Sequence, residues 1–174
     1  MSKRSTFEFT CEERRKSHDG GSGQHITFGA ALPDENSVWT VRTELGKPDN
    51  DRAGQEVGDN EEVRIFHQAT GQYLHSHSTP SPNSRKAAPH DQQHEVTVAT
   101  GNNVQDNWRV AQKLPFLFGT KWRFRHSDGN WFLHSHPILL DVVGRSGCFE
   151  VTKCGARNED DFWVISLADD FLHL

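Results

Sequence analysis

The chain repeats itself, and this internal repeat constrains its fold more than any other feature. Residues 63–77, VRIFHQATGQYLHSH, return without a gap as residues 122–136, WRFRHSDGNWFLHSH, 59 positions later. Counting 59 positions back from His75-Ser76-His77 reaches Lys16-Ser17-His18, so that a lysine replaces the first histidine of the string. Three copies of one unit are therefore expected within the 174 residues, and such units bury their apolar faces against one another.

The second half of each unit repeats as well. The strings QHIT, HEVT and FEVT occupy residues 24–27, 94–97 and 149–152, and a tryptophan follows each of them, at Trp39, Trp108 and Trp163. A shared position of this kind favours a common packing role for the three indoles. His67 and His126 also correspond, and we expect both rings to be partly buried and fixed by hydrogen bonds.

Each unit contains four short β-prone runs bounded by turn residues, with no long helical periodicity. This predicts an all-β fold of about twelve short strands and little helix. Threefold recurrence favours a closed arrangement, which leaves no exposed sheet edge. The single domain of residues 1–174 divides into repeat 1 at about 5–42, a linker at about 43–60, repeat 2 at about 61–111, repeat 3 at about 120–166 and a tail at 167–174.

These strings resemble the MIR family, which includes domains of protein O-mannosyltransferases and the stromal cell-derived factor-like proteins of the endoplasmic reticulum. The resemblance rests on His-x-x-Thr-Gly-x-Tyr-Leu-His-Ser-His, on Glu-Val-Thr and on the acidic-Asn-Trp-x-Val ending of repeat 2. It implies a β-trefoil, a six-stranded barrel capped by three hairpins. It also implies a non-catalytic module that binds glycans or glycosylated or unfolded polypeptide, as an accessory to protein O-mannosylation or protein quality control.

Repeat 1 departs from the pattern. Arg14-Arg15-Lys16 stands where the middle copy has Tyr73-Leu74-His75, and we expect Phe7-Glu8-Phe9-Thr10 to form the preceding strand. This is also the one dense basic cluster, which makes inositol phosphate binding a weak alternative, since phosphates need clustered Arg and Lys.

Charge and composition exclude several classes of protein. The net charge of −5 disfavours nucleic-acid binding, and no apolar run approaches the roughly 20 residues that a membrane-spanning helix needs. We expect neither membrane insertion nor an export signal from this sequence. The three cysteines, Cys11, Cys148 and Cys154, form no metal or disulfide pattern, so buried thiols are favoured. The resemblance implies the endoplasmic reticulum lumen, whereas the absent signal peptide and disulfide framework make the cytoplasm equally compatible.

No motif indicates an enzyme. Gly-x-Ser-x-Gly, a phosphate-binding glycine loop, a dinucleotide fingerprint and His-Glu-x-x-His are all absent from the sequence. The carboxylates lie mostly in Asp/Asn-rich loops, where solvated surface is the ordinary interpretation. We therefore predict no catalytic residue and no cofactor.

The histidine pairs are the sharpest candidates for function. Residues two apart in a strand point to one face, so each His-Ser-His presents two imidazoles side by side with the serine turned away. Three interpretations compete: rings satisfied structurally by backbone carbonyls, recognition of sugar hydroxyls or a peptide, and chelation of zinc or copper. Metal binding is the least favoured, because two histidines alone make a weak site, and no metal is predicted.

Trp131 differs from the other indoles because repeat 2 has Gln72 at its position. It lies in a hairpin turn, where it either stacks on a sugar face or packs locally. The candidate ligand-binding residues are accordingly His18, His75, His77, Trp131, His134 and His136. The expected partner is a glycan or glycoprotein, and the alternative is a protein partner in an assembly or scaffold role without a small ligand.

Overall fold

A computed structural model describes residues 8–16, 21–30, 34–50, 55–82, 93–111, 121–142, 145–155 and 159–164. Within these ranges the chain is all-β with almost no helix, as predicted. The strands are β1 (Glu8–Lys16), β2 (His25–Ala30), β3 (Trp39–Thr43), β4 (Glu62–His67), β5 (Gln72–Pro80), β6 (Gln93–Ala99), β7 (Asn107–Val110), β8 (Lys121–Trp122), β9 (Phe124–His126), β10 (Phe132–Val142), β11 (Arg145–Cys154) and β12 (Trp163–Val164). Single 3-10 turns occupy Glu35–Ser37, Val104–Asp106 and Glu159–Asp161.

Ten of these strands form one sheet, in the order β1-β2-β11-β10-β9-β7-β4-β5-β6 with β3 added beside β4, while β8 and β12 pair separately. The order closes on itself, because β6 pairs with β2 as well as with β5. β11 in turn pairs with both β2 and β6. One strand from each repeat therefore contacts the other two, and this region holds the three repeats together.

The hairpins of repeats 2 and 3 have the same register. Tyr73 pairs with Ala99 and His75 with Thr97 in the first hairpin, and Phe132 pairs with Cys154 and His134 with Thr152 in the second. Each register shifts further along, between Ser76 and Pro80 and again between Ser135 and Leu139. The equivalence that the sequence predicted for these two hairpins is confirmed at the level of backbone pairing.

The three recurring tryptophans pack as predicted. Trp108 and Trp163 are buried in the main apolar cluster, and Trp39 packs against it. The indole nitrogens of Trp108 and Trp163 donate to the carbonyls of Leu74 and Leu133, at 3.1 and 3.0 Å, so that each buried N–H has a partner. These two indoles therefore tie the ends of repeats 2 and 3 to their own hairpins.

The first strand of repeat 1 corrects one expectation. Glu8–Lys16 is one continuous strand, not two, and Phe9, Thr10 and Cys11 pair with Gly29, Phe28 and Thr27. In repeat 2 the corresponding partners of β6 are Tyr73, Leu74 and His75. Phe9-Thr10-Cys11 therefore occupies the position that we had assigned to Arg14-Arg15-Lys16. Aromatic and β-branched residues favour a paired strand, whereas three successive cations offer it nothing apolar.

Two other expectations concern cysteines and membranes. Cys148 and Cys154 are buried, as predicted, and the side chain of Cys11 lies outside the described part of the structure. None of the described elements is a helix with the length and hydropathy needed to cross a bilayer.

Candidate functional site

The two His-Ser-His strings place their side chains as the strand alternation predicts. The ring centroids of His75 and His77 lie 5.1 Å apart, and those of His134 and His136 are separated by the same distance. The intervening serines face the other way and donate to backbone carbonyls, Ser76 to Glu95 at 2.8 Å and Ser135 to Glu150 at 3.2 Å. The serines therefore fix the strand pairing and leave the other face to the imidazoles.

In repeat 2 the two imidazoles lie between two buried carboxylates. Nδ1 of His75 is 2.7 Å from Oδ1 of Asp106, and its Nε2 is 3.0 Å from Nδ1 of His77. Nε2 of His77 is in turn 3.2 Å from Oε1 of Glu95. Asp106 is fully buried and Glu95 nearly so. We call this chain of four side chains the repeat 2 relay.

Repeat 3 has the same two contacts between a histidine and a carboxylate, which we call the repeat 3 relay. Nδ1 of His134 lies 3.0 Å from Oδ1 of Asp161, and Nε2 of His136 lies 3.1 Å from Oε2 of Glu150. Both carboxylates are buried here too. The partners of these rings are buried carboxylates, where the structural interpretation had expected backbone carbonyls. These four acids also correct the assignment of carboxylates to solvated loops.

The glutamate of each relay is also bonded to the preceding repeat. The backbone N–H of Ser22 donates to Oε1 of Glu95 at 2.7 Å, and the hydroxyl of Ser81 donates to Oε1 of Glu150. The relays therefore link neighbouring repeats as well as fixing their own hairpins.

The carboxylates of the repeat 2 relay determine which imidazole nitrogens donate hydrogen bonds. A carboxylate only accepts, so Nδ1–H of His75 donates to Asp106 and Nε2–H of His77 donates to Glu95. Nε2 of His75 and Nδ1 of His77 then face each other at 3.0 Å, so every ring nitrogen of the pair has its partner inside the relay.

Repeat 1 lacks the components of a relay. Ser37 ends the 3-10 turn that Asp106 and Asp161 end in the other copies, and His25 precedes Ile26 where Glu95 precedes Val96. Ser37 completes a capping box with Asp34, as Asp106 does with Asn103, but it has no carboxylate to offer a histidine. His18, a candidate from the sequence, lies outside the described residues.

An open cleft lies beside the repeat 2 relay, with a volume of about 870 Å³. His75 and His77 form part of its wall, so two of the sequence candidates meet there. The remaining wall comes from repeat 1 through Ser22 and Gln24, from the end of β5, and from the last residue of β6 with the segment that follows it. The lining residues are Ser22, Gln24, His75, His77, Ser78, Thr79, Ala99, Thr100, Gly101, Asn102, Asn103, Gln105 and Asp106.

Trp131 is not part of this cleft wall. Its half-buried ring lies 4.7 Å from that of His94 between centroids, and the ammonium of Lys153 lies 6.0 Å from the indole centroid. A Cβ added at Gly129 or Gly155 would come within 3.1 or 3.2 Å of the indole, so both glycines allow the ring to pack closely. The local packing that the sequence left open is thus what the structure describes for Trp131.

The residues around Trp131 form a charged cluster that the sequence did not reveal. Lys153 is fully buried, and its Nζ donates to Oδ2 of Asp128 at 3.0 Å. The other carboxylate oxygen of Asp128 lies 2.5 Å from Nδ1 of the buried His126, whose Nε2 is 2.8 Å from the Gln105 carbonyl. His67 is also buried, between Thr70 and Asn36, so fixed rings at both positions are confirmed.

Burial sets the protonation of this cluster. Burial lowers the pKa of Lys153, although its hydrogen bond to Asp128 opposes this. Burial and the neighbouring ammonium of Lys153 also lower the pKa values of His126 and His94. The pKa of Asp128 is lowered as well, because its hydrogen bonds to His126 and Lys153 outweigh the effect of its own burial. The carboxylate therefore stays ionised beside a buried cation.

Comparison with known proteins identifies the family of this chain. The family model described as MIR domain matches residues 2–166. The chain belongs to the MIR domain family. It is similar to a stromal cell-derived factor 2-like protein of Arabidopsis thaliana, with 29% identity over 165 residues that cover 87% of this chain and 70% of that protein. It is 28% identical to dolichyl-phosphate-mannose–protein mannosyltransferase 1 of Saccharomyces cerevisiae over 166 residues, 86% of this chain but 20% of the enzyme.

The fold of this MIR domain also matches a solved relative. The crystal structure of the SDF2-like protein from Arabidopsis thaliana superposes with a TM-score of 0.71 and 24% identity, over 92% of this chain and 93% of that one. At this identity the similarity shows a shared fold.

The sequence missed most of the polar residues of this MIR domain that surround its histidines. Asp106 and Asp161 lie at one position of the repeat, and so do Glu95 and Glu150, so a comparison of repeats 2 and 3 contained a signal for the relays. Lys153 and Asp128 gave no such signal, because each occurs in one repeat. Across the described ranges, no group of three or more His, Cys, Asp or Glu residues is arranged to hold a metal ion.

Proposed function

We propose that this MIR domain is a non-catalytic recognition module that binds glycans or glycosylated or unfolded polypeptide. The open cleft between repeats 1 and 2 carries this proposal. Its volume of about 870 Å³ lies within the range of roughly 300–1,000 Å³ that is usual for ligand sites. Hydroxyl and amide side chains line much of its wall, and these suit a ligand with many hydrogen-bonding groups.

The arrangement of the histidines supports a role without catalysis. A general base needs a nitrogen lone pair directed at a substrate, and all four ring nitrogens of His75 and His77 already have partners inside the relay. Ser76, between them, donates to the Glu95 carbonyl from the opposite face. These side chains fix the position of the hairpin, which is what a recognition surface requires.

The proposal includes the β-trefoil architecture. Three observations support it: the threefold sequence repeat, the shared register of two hairpins and the mutual pairing of β2, β6 and β11. In a trefoil these three strands would surround the pseudo-threefold axis, and the cleft would lie between two of the three lobes.

An accessory role in protein O-mannosylation or protein quality control belongs to the same proposal. It is supported by similarity to a region of an enzyme whose name specifies protein mannosylation. We include the endoplasmic reticulum lumen as the compartment for the same reason. Fluorescence imaging of the full-length tagged protein would test this, and a diffuse cytoplasmic signal would contradict it.

Assembly with a protein partner is the second candidate. Val104 and Leu139 are large apolar side chains with about two thirds of their surface exposed, 66% each, and exposed apolar side chains are common in protein contacts. The two candidates differ in what releases the bound material. Elution from the immobilised domain by free sugar supports recognition of glycans, and a stoichiometric protein that free sugar does not release supports assembly.

Titration calorimetry tests the leading proposal directly. An α-mannosylated Ser/Thr peptide and an unfolded polypeptide are titrated separately into the wild-type domain, and saturable heat is expected from at least one of them. The proposal is wrong if neither ligand saturates. The variants Trp131→Ala and His134→Ala then test the candidates of repeat 3, and binding that is unchanged in both would exclude them from the site.

A further inference from the structure

We propose that the cleft binds an uncharged hexose unit of a glycan, and that Thr100, Asn102 and Gln105 make the contacts. This inference rests on the proposed function and specifies both the site and the ligand class. It also changes the part that His75 and His77 play, from ligand contacts to the rigid wall of the cleft.

The charge of the wall selects the ligand class. Among the residues that the structure describes, the cleft wall contains no Lys or Arg, and Asp106 is its one carboxylate. Asp106 is fully buried, and it accepts hydrogen bonds from His75 and from the backbone N–H of Asn103, at 2.7 and 2.9 Å. A phosphate or other anion would find no cation here, and a cation would find no available carboxylate. A neutral ligand with several hydroxyl groups fits this wall.

The imidazoles have no nitrogen to offer such a ligand. Nδ1 and Nε2 of His75 face Asp106 and His77, and the remaining nitrogen of His77 faces Glu95. A sugar hydroxyl would have to break one of these contacts and leave a buried carboxylate without its proton donor, which is costly. The rings therefore position the neighbouring segments without donating to the ligand.

The segment from Thr100 to Gln105 has side-chain groups that are available to hydrogen-bond a ligand, which His75 and His77 do not have. Thr100 and Asn102 are exposed and Gln105 is half-buried, and all three line the cleft. Within the described part of the chain their side chains make no hydrogen bond, while the side chain of Asn103 is engaged with the backbone N–H of Gln105 at 3.1 Å. One hydroxyl and two amides are thus directed at a single open space, and these groups can both donate to and accept from sugar hydroxyls.

Gly101 keeps this segment in place. Its φ of +85° is in the left-handed region, and a Cβ there would lie 2.1 Å from the ring of Tyr73. Its carbonyl accepts from Nη1 of Arg64 at 3.1 Å. The backbone between Thr100 and Asn102 is therefore held by the core before any ligand arrives, and such preorganisation lowers the entropic cost of binding.

A comparison of repeats 2 and 3 indicates that the proposed site occurs in repeat 2 and not in repeat 3. Residues 99–106 and 154–161 align without a gap, and Gly155, Arg157 and Asp160 stand at the positions of Thr100, Asn102 and Gln105. None of the three uncharged polar residues is retained, although both segments lead to the aspartate of a relay. Because the relay is shared and the contact residues are not, the proposed hexose site is particular to repeat 2.

Calorimetry with three probes and matched variants tests this assignment. The probes are an α-mannosylated Ser/Thr peptide, the same peptide without sugar, and inositol hexakisphosphate. We expect the double variant Asn102→Ala/Gln105→Ala to bind the mannosylated peptide at least about tenfold more weakly than wild type, because two hydrogen bonds are lost. Gln55→Ala removes an exposed amide outside the cleft wall and should bind as wild type. Thermal unfolding checks that both variants fold.

The possible results separate this inference from the proposed function. Unchanged affinity of the double variant for the mannosylated peptide places the site elsewhere and overturns the inference, while the recognition proposal stands. Equal binding of both peptides, weakened equally by the double variant, keeps the cleft but overturns the hexose assignment. Tighter binding of the phosphate probe overturns the ligand class. If no glycan or polypeptide saturates the wild-type domain, the proposed function fails and this inference fails with it.

Discussion

Lys153 donates a hydrogen bond to Asp128 at 3.0 Å from a side chain that is completely buried. The corresponding positions of repeats 2 and 1 are Val98 and Phe28, both buried and apolar, and Ala69 stands where repeat 3 has Asp128. Repeat 3 thus has an ion pair where the other copies have ordinary packing. An ion pair of this kind seldom improves stability over a well-packed apolar pair, so we expect it to set the conformation of the turn beneath Trp131.

The first prediction concerns this pair. Asp128→Ala should lower the free energy of unfolding by about 3 kcal/mol, because it leaves a buried ammonium without a partner, and the partial exposure of Asp128 keeps the loss at the low end of the usual range. The double variant Asp128→Ala/Lys153→Met should recover only the part of this loss that comes from the unpaired charge, since methionine fills the space of lysine without its charge but Nδ1 of His126 still lacks its Asp128 partner. Urea denaturation measures both. A double variant as unstable as the single one would show that the charge was not the cause.

The second prediction concerns the relays. Asp106→Ala and Asp161→Ala should each lower the free energy of unfolding by about 2 kcal/mol, because a buried imidazole N–H loses its acceptor. The two losses should be similar, since the distances to His75 and His134 are similar. Asp59→Ala, in an exposed turn, is the control and should change stability by less than about 0.5 kcal/mol. Values for the relay variants as small as the control value would contradict a structural role for the relays.

The third prediction compares two glycines with similar backbone conformations. Gly101 and Gly46 have φ values of +85° and +91°, but an added Cβ meets Tyr73 in the first case and open space in the second. Gly46→Ala should therefore cost about 1 kcal/mol for conformation alone. Gly101→Ala should cost about 2 kcal/mol more, because the ring has to move. Equal losses in chemical denaturation would mean that Tyr73 does not pack on Gly101.

The fourth prediction is a loss of stability in mild acid. The pKa values of His126 and His94 are lowered in the folded protein from an ordinary value of 6.5. Between that value and the lower folded values, the unfolded chain binds more protons than the folded one, so stability falls as the pH falls below about 6.5. Denaturation midpoints between about pH 7.5 and pH 5 should show this decrease, and His94→Gln should make it shallower. Constant or rising stability over this range would contradict the burial of these rings.

The sequence predicted what the repeats share. Trp108 and Trp163, the paired histidines and the outward serines all recur, so their common packing could be read from their spacing. The register of β1 could not be read in this way. The offset of 59 residues placed Arg14-Arg15-Lys16 at the position that Phe9 and Thr10 occupy in the structure.

The partners of the histidines were harder to predict, for a different physical reason. Asp106 and Glu95 appear in the sequence as ordinary acidic residues among other polar ones, and only the closed sheet brings them to the two sides of one imidazole pair. The cleft likewise combines residues of repeats 1 and 2. Contacts between repeats depend on the three-dimensional arrangement, which the repeat pattern alone does not contain.

If the cleft of repeat 2 recognises a neutral sugar, the segment from Thr100 to Gln105 should respond when the sugar binds. Titration of ¹⁵N-labelled protein with an α-mannosylated peptide, followed by amide chemical shifts, measures this response residue by residue. We expect saturable shifts concentrated at residues 100–105, with small changes around Trp131 and Lys153. Shifts confined to the Trp131 region, or no saturable shifts at all, would contradict it.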